Sequence, residues 1–286
     1  MGSSPVEASA APDDADDLRG HYFKQLLAKP LTQALIAAAA LLAGIAGAAI
    51  LSPAIGAATF FGGLLLGLLV TFLVADSRSE DAFFEHYAAV RQMHVEEGKR
   101  RLDPATPLLR KGDDRYAERL LEGPLGERVE GLLALYTYEE ETTDSKGNRQ
   151  TSYYRYTVGI VEVRESVTFV PELICQRKFG LRALEKLEDA FRSKERVKLE
   201  SGVLDERYEI FVGKGQNANW LRQLFSPTFI VWLTESAPEK LAFELDSGML
   251  CCYVKGHRKR AEELDAIRAA AAAVATRLRE ESLETL

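Results

Sequence analysis

Charge is absent between Pro30 and Ala75, although Asp, Glu, Lys and Arg make up 28% of this 286-residue chain. About 46 uncharged residues form a helix ~69 Å long, more than twice a ~30 Å hydrocarbon core, so the run must be divided. Cysteine is scarce: three residues in so long a chain cannot build a disulfide scaffold. Basic charge is in deficit too, and a net charge of −7 leaves no basic stripe to neutralise phosphates, which excludes a nucleic-acid partner. The four histidines, His21, His86, His94 and His257, have no His or Cys neighbour at zinc-site spacing, and neither HExxH nor CxxC occurs. Walker loops, GxGxxG and GxSxG are also missing. Gly213-Lys214-Gly215 is a turn without the helix that would make it a phosphate cradle. No cofactor and no metal follow from these residues.

What is present begins with the uncharged run itself. Ser52-Pro53 lies near its middle, and proline both lacks the backbone donor and restricts the residue before it. Two spans of about 31–51 and 54–75 result, a transmembrane hairpin within residues 21–76 that satisfies its own backbone in lipid. A cleaved signal peptide at Ala46-Gly47-Ala48 is disfavoured, because the run starts late and a second span follows at once. Arg19, Lys24 and Lys29 precede the hairpin, and Arg78, Arg91, Lys99, Arg100 and Arg101 follow it. The positive-inside rule then places both termini in the cytoplasm. Small residues recur on the two spans at Ala40, Gly44 and Ala48 and at Thr59, Gly63, Gly67 and Thr71. Gly44, Gly63 and Gly67 are therefore the candidate helix-packing residues, either within one chain or in a homo-oligomer of hairpins.

Residues 1–20 are rich in Ala, Ser, Pro and Asp and read as a disordered tail. Residues 77–101 read as an amphipathic juxtamembrane helix continuing the second span, with Phe83, Phe84, Tyr87, Ala88 and Val90 as its apolar stripe. Residues 102–127 read as a connector with a short helical pattern over 113–122. From 128 to 286 the pattern is that of a cytoplasmic α+β domain. Two Tyr-, Thr- and Val-rich runs around Asp144–Asn148 make one β-hairpin, and LAFEL with MLCCYV around Asp246–Gly248 makes another. Strands are expected over 169–177, 196–199 and 208–212. Helices are expected over 181–192, 217–225, 227–235 and 259–282, the third opened by Ser226-Pro227.

Few residues offer chemistry. Cys251 and Cys252 are adjacent in a strand and so point to opposite faces. Cys175 precedes Arg177 and Lys178, which makes it a weak thiol candidate, although the sequence around it holds no histidine to serve as base. The basic run over Lys255, Arg258, Lys259 and Arg260 reads as a solvated turn or as a contact for anionic lipid head groups. Trp220 and Trp232, with Leu224, Phe225, Phe229 and Leu233, read as core before ligand groove.

The segments TPLLRKGDDRY, VEGLLALYTYEEET, FVPELICQRKFG, RVKLESGVLDERYEIFVGKGQNANWLRQLFSPTFIVWL and AFELDSGMLCCYVKGH resemble an uncharacterised family of bacterial two-span membrane proteins with a cytoplasmic α+β domain of unknown function. That resemblance implies a bacterial plasma-membrane location and assigns no catalytic residue. The expected function is a membrane-anchored, non-enzymatic binding or scaffolding protein. The alternative is a membrane-tethered hydrolase or thiol-dependent enzyme. A channel is disfavoured, because the spans offer only Thr32, Gln33, Thr59 and Thr71 as polar lining.

Overall fold

The computed structural model describes residues 14–96, 98–143, 145–178, 194–199, 201–216 and 218–284. The chain divides into two compact units, one running through Tyr87 and including Lys259–Ala261, the other formed by Ala88–Arg258 and the chain from Glu262.

The first unit is helical. Helix α1 spans Ala15–Ala28, α2 Pro30–Ile50 and α3 Pro53–Val90. Residues 15–20 are therefore helix and not tail. Asp14 caps α1 by accepting from Asp16 N–H at 2.8 Å, and Asp16 and Asp17 sit in the first turn, where carboxylates favour the helix dipole. The break in the uncharged run falls at Leu51-Ser52, with Pro53 opening α3. Both α2 and α3 are long and apolar enough to cross a membrane. They are also inside out by the standards of a soluble helix: Leu42, Ile45, Leu65 and Leu66 are 69%, 65%, 68% and 61% exposed, whereas Ala40 is fully buried.

Small residues make the contact between these two helices. A Cβ on Gly63 would lie 3.0 Å from Ala40 Cα, on Gly67 2.9 Å from Ile36 Cγ2, and on Gly44 3.0 Å from Phe60 Cβ. Thr59 Oγ1 donates across the seam to the Ala43 carbonyl at 2.9 Å. Helix α1 lies along α3 through an Arg19–Asp76 ion pair at 3.2 Å and an edge-to-face Phe23–Phe72 pair.

Helix α3 stops at Val90, well short of residue 101. Gln92 takes a left-handed φ of 57°, Gln92 N–H bonds to Ala89 O, and Met93 N–H bonds to Ala88 O, which closes the last turn in a Schellman arrangement. The chain leaves that turn as strand β1, His94–Glu96, so the juxtamembrane helix expected over 77–101 ends early. Of its stripe, Phe83, Phe84, Tyr87 and Ala88 are buried and Val90 is exposed.

The described strands of the second unit form one antiparallel sheet in the order β1-β2-β3-β4-β9-β8-β5-β7-β6. They are β2 Asp114–Gly126, β3 Val129–Thr143, β4 Arg149–Glu162, β5 Glu172–Arg177, β6 Lys194–Val197, β7 Tyr208–Gly213, β8 Ala242–Asp246 and β9 Met249–Lys255. Helices α4 Gly202–Arg207, α5 Ala218–Leu224 and α6 Pro227–Val231 precede β8, and α7 Ala261–Glu284 follows β9. The helix expected over 181–192 lies outside the described residues. The connector is corrected by β2, a 13-residue strand where the sequence shows helical spacing. A bulge between Ala117 and Arg119 is the cause: it inserts Glu118, so Ala117 and Leu120 share a face at a separation of three.

Each face of the sheet has its own cover. On one, Tyr136, Tyr138, Tyr156, Tyr253 and Cys251 pack beneath Leu108 and Leu109 of a short 3-10 turn. Tyr138 stacks on Tyr154 and Tyr156 at 4.8 and 5.9 Å, pairs that add about 0.5–1.5 kcal/mol each beyond burial. On the other face α7 lies so close at Gly159 that a Cβ there would sit 2.8 Å from Ala271 Cβ.

Candidate functional site

Glu244 is the most deeply buried acid of the sheet. It sits mid-strand in β8, on the tyrosine face, directly opposite Cys251. Its carboxylate accepts from Leu108 N–H at 2.7 Å and from the Tyr253 hydroxyl at 3.1 Å. Burial raises its pKa, and those two hydrogen bonds, with Lys111 nearby, offset only part of the rise. Arg110 adds an ion pair to Asp246 on the same strand. The group works as a strap that holds the 106–111 segment over the sheet, with its oxygens already engaged.

A second constellation has the composition of a catalytic triad. Thr137 Oγ1 lies 3.2 Å from His257 Nε2, and His257 Nδ1 faces Glu118 at 3.8 Å. The hydrogen bonds point the wrong way for a nucleophile. His257 Nε2 is also 3.2 Å from the Tyr136 carbonyl, which can only accept, so Nε2 carries the proton. Thr137 donates to Glu118 Oε1 at 2.9 Å and is fully buried. Burial lowers the His257 pKa against the pull of Glu118, leaving a neutral imidazole that donates to the sheet. It has no lone pair facing Thr137 with which to take a proton.

The cysteines are placed by the strands that carry them. Cys251 faces the tyrosines and Cys252 pairs with Gly159. Cys175 sits in β5 between Phe243 and Ile210 and is fully buried. Burial pushes its thiol well above the usual range, and the lowering by Arg177 is the smaller effect, so at neutral pH Cys175 is a thiol packed as a small apolar side chain.

Three of the four cations in the basic turn meet carboxylates of the chain itself. Arg258 pairs with Glu263 at 2.9 Å, Lys259 with Glu80, and Arg260 approaches Asp14 at 3.8 Å. Lys255 is left exposed. Neutralisation on this scale reduces the charge that the turn offers to anionic lipid.

The tryptophan cluster is split. Trp220, Leu224, Phe225 and Leu233 are core. Phe229, also buried, stacks at 5.3 Å on half-buried Trp232, and both line a groove of about 1060 Å³ together with Ala272, Ala273 and Thr276 of α7. Ser226 accepts from Phe229 N–H and so starts α6 at the edge of this groove. Arg128 stands on its rim, in the two-residue turn between β2 and β3, with a left-handed φ of 88° that ordinarily selects glycine. Sequence reading missed Arg128, because a strained turn shows in φ and not in residue spacing. Among the described residues no group of His, Cys, Asp and Glu is placed to hold a metal ion. Comparison with family models, with curated proteins and with solved structures finds no match for the chain, so its own geometry must carry the functional reading.

Proposed function

We propose that this chain is a membrane-anchored, non-enzymatic binding or scaffolding protein, held by the α2–α3 hairpin in a bacterial plasma membrane with both termini and the sheet domain in the cytoplasm. The groove walled by Trp232, Phe229 and α7 carries the binding part of this reading. There the large aromatic side chain of Trp232 is left half-exposed in a concave, mostly apolar surface. The outward exposure of Leu42, Ile45, Leu65 and Leu66 supports the anchor. Flanking Lys and Arg support the orientation, and the resemblance to two-span proteins supports the bacterial membrane. Binding is favoured over catalysis because Glu244, His257 and Cys175 are each committed to packing or to hydrogen bonds within the fold.

A photo-crosslinking amino acid placed at Thr276, an exposed groove position, tests the reading in intact cells. A discrete light-dependent adduct at Thr276, absent from a control at exposed Tyr153, is expected. Identical labelling at the two positions, or none at Thr276, sinks it.

A further inference from the structure

A second concavity, separate from the Trp232 groove, lies where residues 102–109 cross the tyrosine face of the sheet. Its volume is about 340 Å³, within the range of small-molecule sites. Leu102, Leu109, Leu132, Ile160 and Met249 make an apolar floor, and Leu102, Leu132 and Met249 are only half-buried. The register explains the floor: Leu132 stands opposite Ile160, and Met249 opposite Glu162.

The rim is acidic throughout. Asp103, Glu122, Glu130 and Glu162 line the pocket, and no Lys or Arg does. Glu162 is paired with Arg164, whereas Asp103, Glu122 and Glu130 meet no cation among the described residues. Glu122 stands opposite Leu132, and Glu130 precedes Leu132 by two, so both carboxylates lie on the same face of adjacent strands. They are diagonal cross-strand neighbours, within reach of one another as long side chains, so their like charges add negative potential at the pocket mouth. Charge complementarity therefore selects a cation, and the apolar floor selects one with a hydrocarbon body.

Two further features narrow the class. Asp103 comes from the crossing segment and Glu122, Glu130 and Glu162 from strands β2, β3 and β4, and among the described residues no group of acids is placed to hold a single metal ion. A compact divalent cation would also leave the floor uncovered. We propose that this pocket binds an aliphatic diamine, its methylene chain on Leu132, Ile160 and Met249 and its two ammonium groups on separate rim carboxylates. Glu122 and Glu130 hold one end and Asp103 the other. The alkyl chain excludes water from the floor, and each ammonium stays at the mouth, where it keeps part of its hydration.

The test uses the full-length protein in detergent, with 1,5-diaminopentane as probe. Calorimetry and thermal melts compare it with pentylamine, 1,5-pentanediol and magnesium chloride at matched ionic strength. The diamine is expected to bind and to raise the melting temperature, pentylamine to bind more weakly, and the diol and magnesium to do neither. Glu122→Gln with Glu130→Gln should weaken diamine binding at least about tenfold, or 1.4 kcal/mol, while the circular dichroism spectrum is unchanged. Asp103→Asn alone should bring diamine affinity down to that of pentylamine. Equal response to magnesium, diamine binding unaffected by these substitutions, or no binding of the diamine overturns the proposal. None of these outcomes depends on the Trp232 groove.

Discussion

Glu244 shows how one buried side chain ties loop to sheet and sets a pH dependence. Truncation by Glu244→Ala leaves Leu108 N–H and the Tyr253 hydroxyl without their shared acceptor in a buried site, a loss of about 2–4 kcal/mol. Glu244→Gln keeps an acceptor for Leu108 and removes the titration. Because the folded pKa lies above the unfolded one, the native state holds the proton more tightly. The stability it contributes is present below the ordinary carboxylate range and is lost as pH rises through the raised folded value. Thermal melts between about pH 4 and pH 8 should therefore show wild type losing stability relative to Glu244→Gln as pH rises. A constant offset between the two proteins would mean that the carboxylate titrates alike in both states. The site was only partly legible in sequence at this scale. Glu244 sits inside LAFEL, an alternation that marks a strand but does not say which polar residue faces inward, and its partners Leu108 and Tyr253 are far from it or across a turn. Arg128 and the Thr137–His257–Glu118 contact were hidden for the same reason, since both depend on which strands become neighbours.

Local patterns served well for elements wherever period and punctuation agreed. The hairpin of strands β3 and β4 and the helix opened by Ser226-Pro227 are where the sequence pattern puts them. They failed where one local device disguised the period. The bulge at Glu118 gives β2 a helical spacing, and Gln92 ends α3 in a left-handed conformation that glycine usually announces. The α2–α3 seam gives an element-scale prediction with an internal control. Gly63→Leu and Gly67→Leu drive side chains into Ala40 and Ile36, and each should cost about 1–3 kcal/mol by overpacking. Gly62→Leu, one residue away on the same helix, meets nothing within 4 Å and should leave the melting temperature in detergent level or slightly raised. Equal destabilisation by Gly62→Leu would show that helix propensity, and not the seam, determines the effect.

For the whole molecule, the α2–α3 pair and the sheet domain present opposite surfaces, and the chain achieves this by segregating charge. Helices α2 and α3 keep small residues inward and large apolar ones outward, an arrangement that suits an apolar surround. The sheet domain instead surrounds a tyrosine-rich core with carboxylates and cations that require water. Only two residues, Leu51 and Ser52, join α2 to α3, and neither is charged, so translocating that turn takes no ion through the bilayer. Moving the other end would carry Arg78 and the cations after it across, which the positive-inside bias opposes. A reporter enzyme active only outside the cytoplasm should therefore be silent when fused after Leu286 and active when inserted between Leu51 and Ser52. Reversal of both signals would place the sheet domain and its groove outside the cell. Silence at both positions, with the protein released by alkaline carbonate, would show that the hairpin does not cross the bilayer.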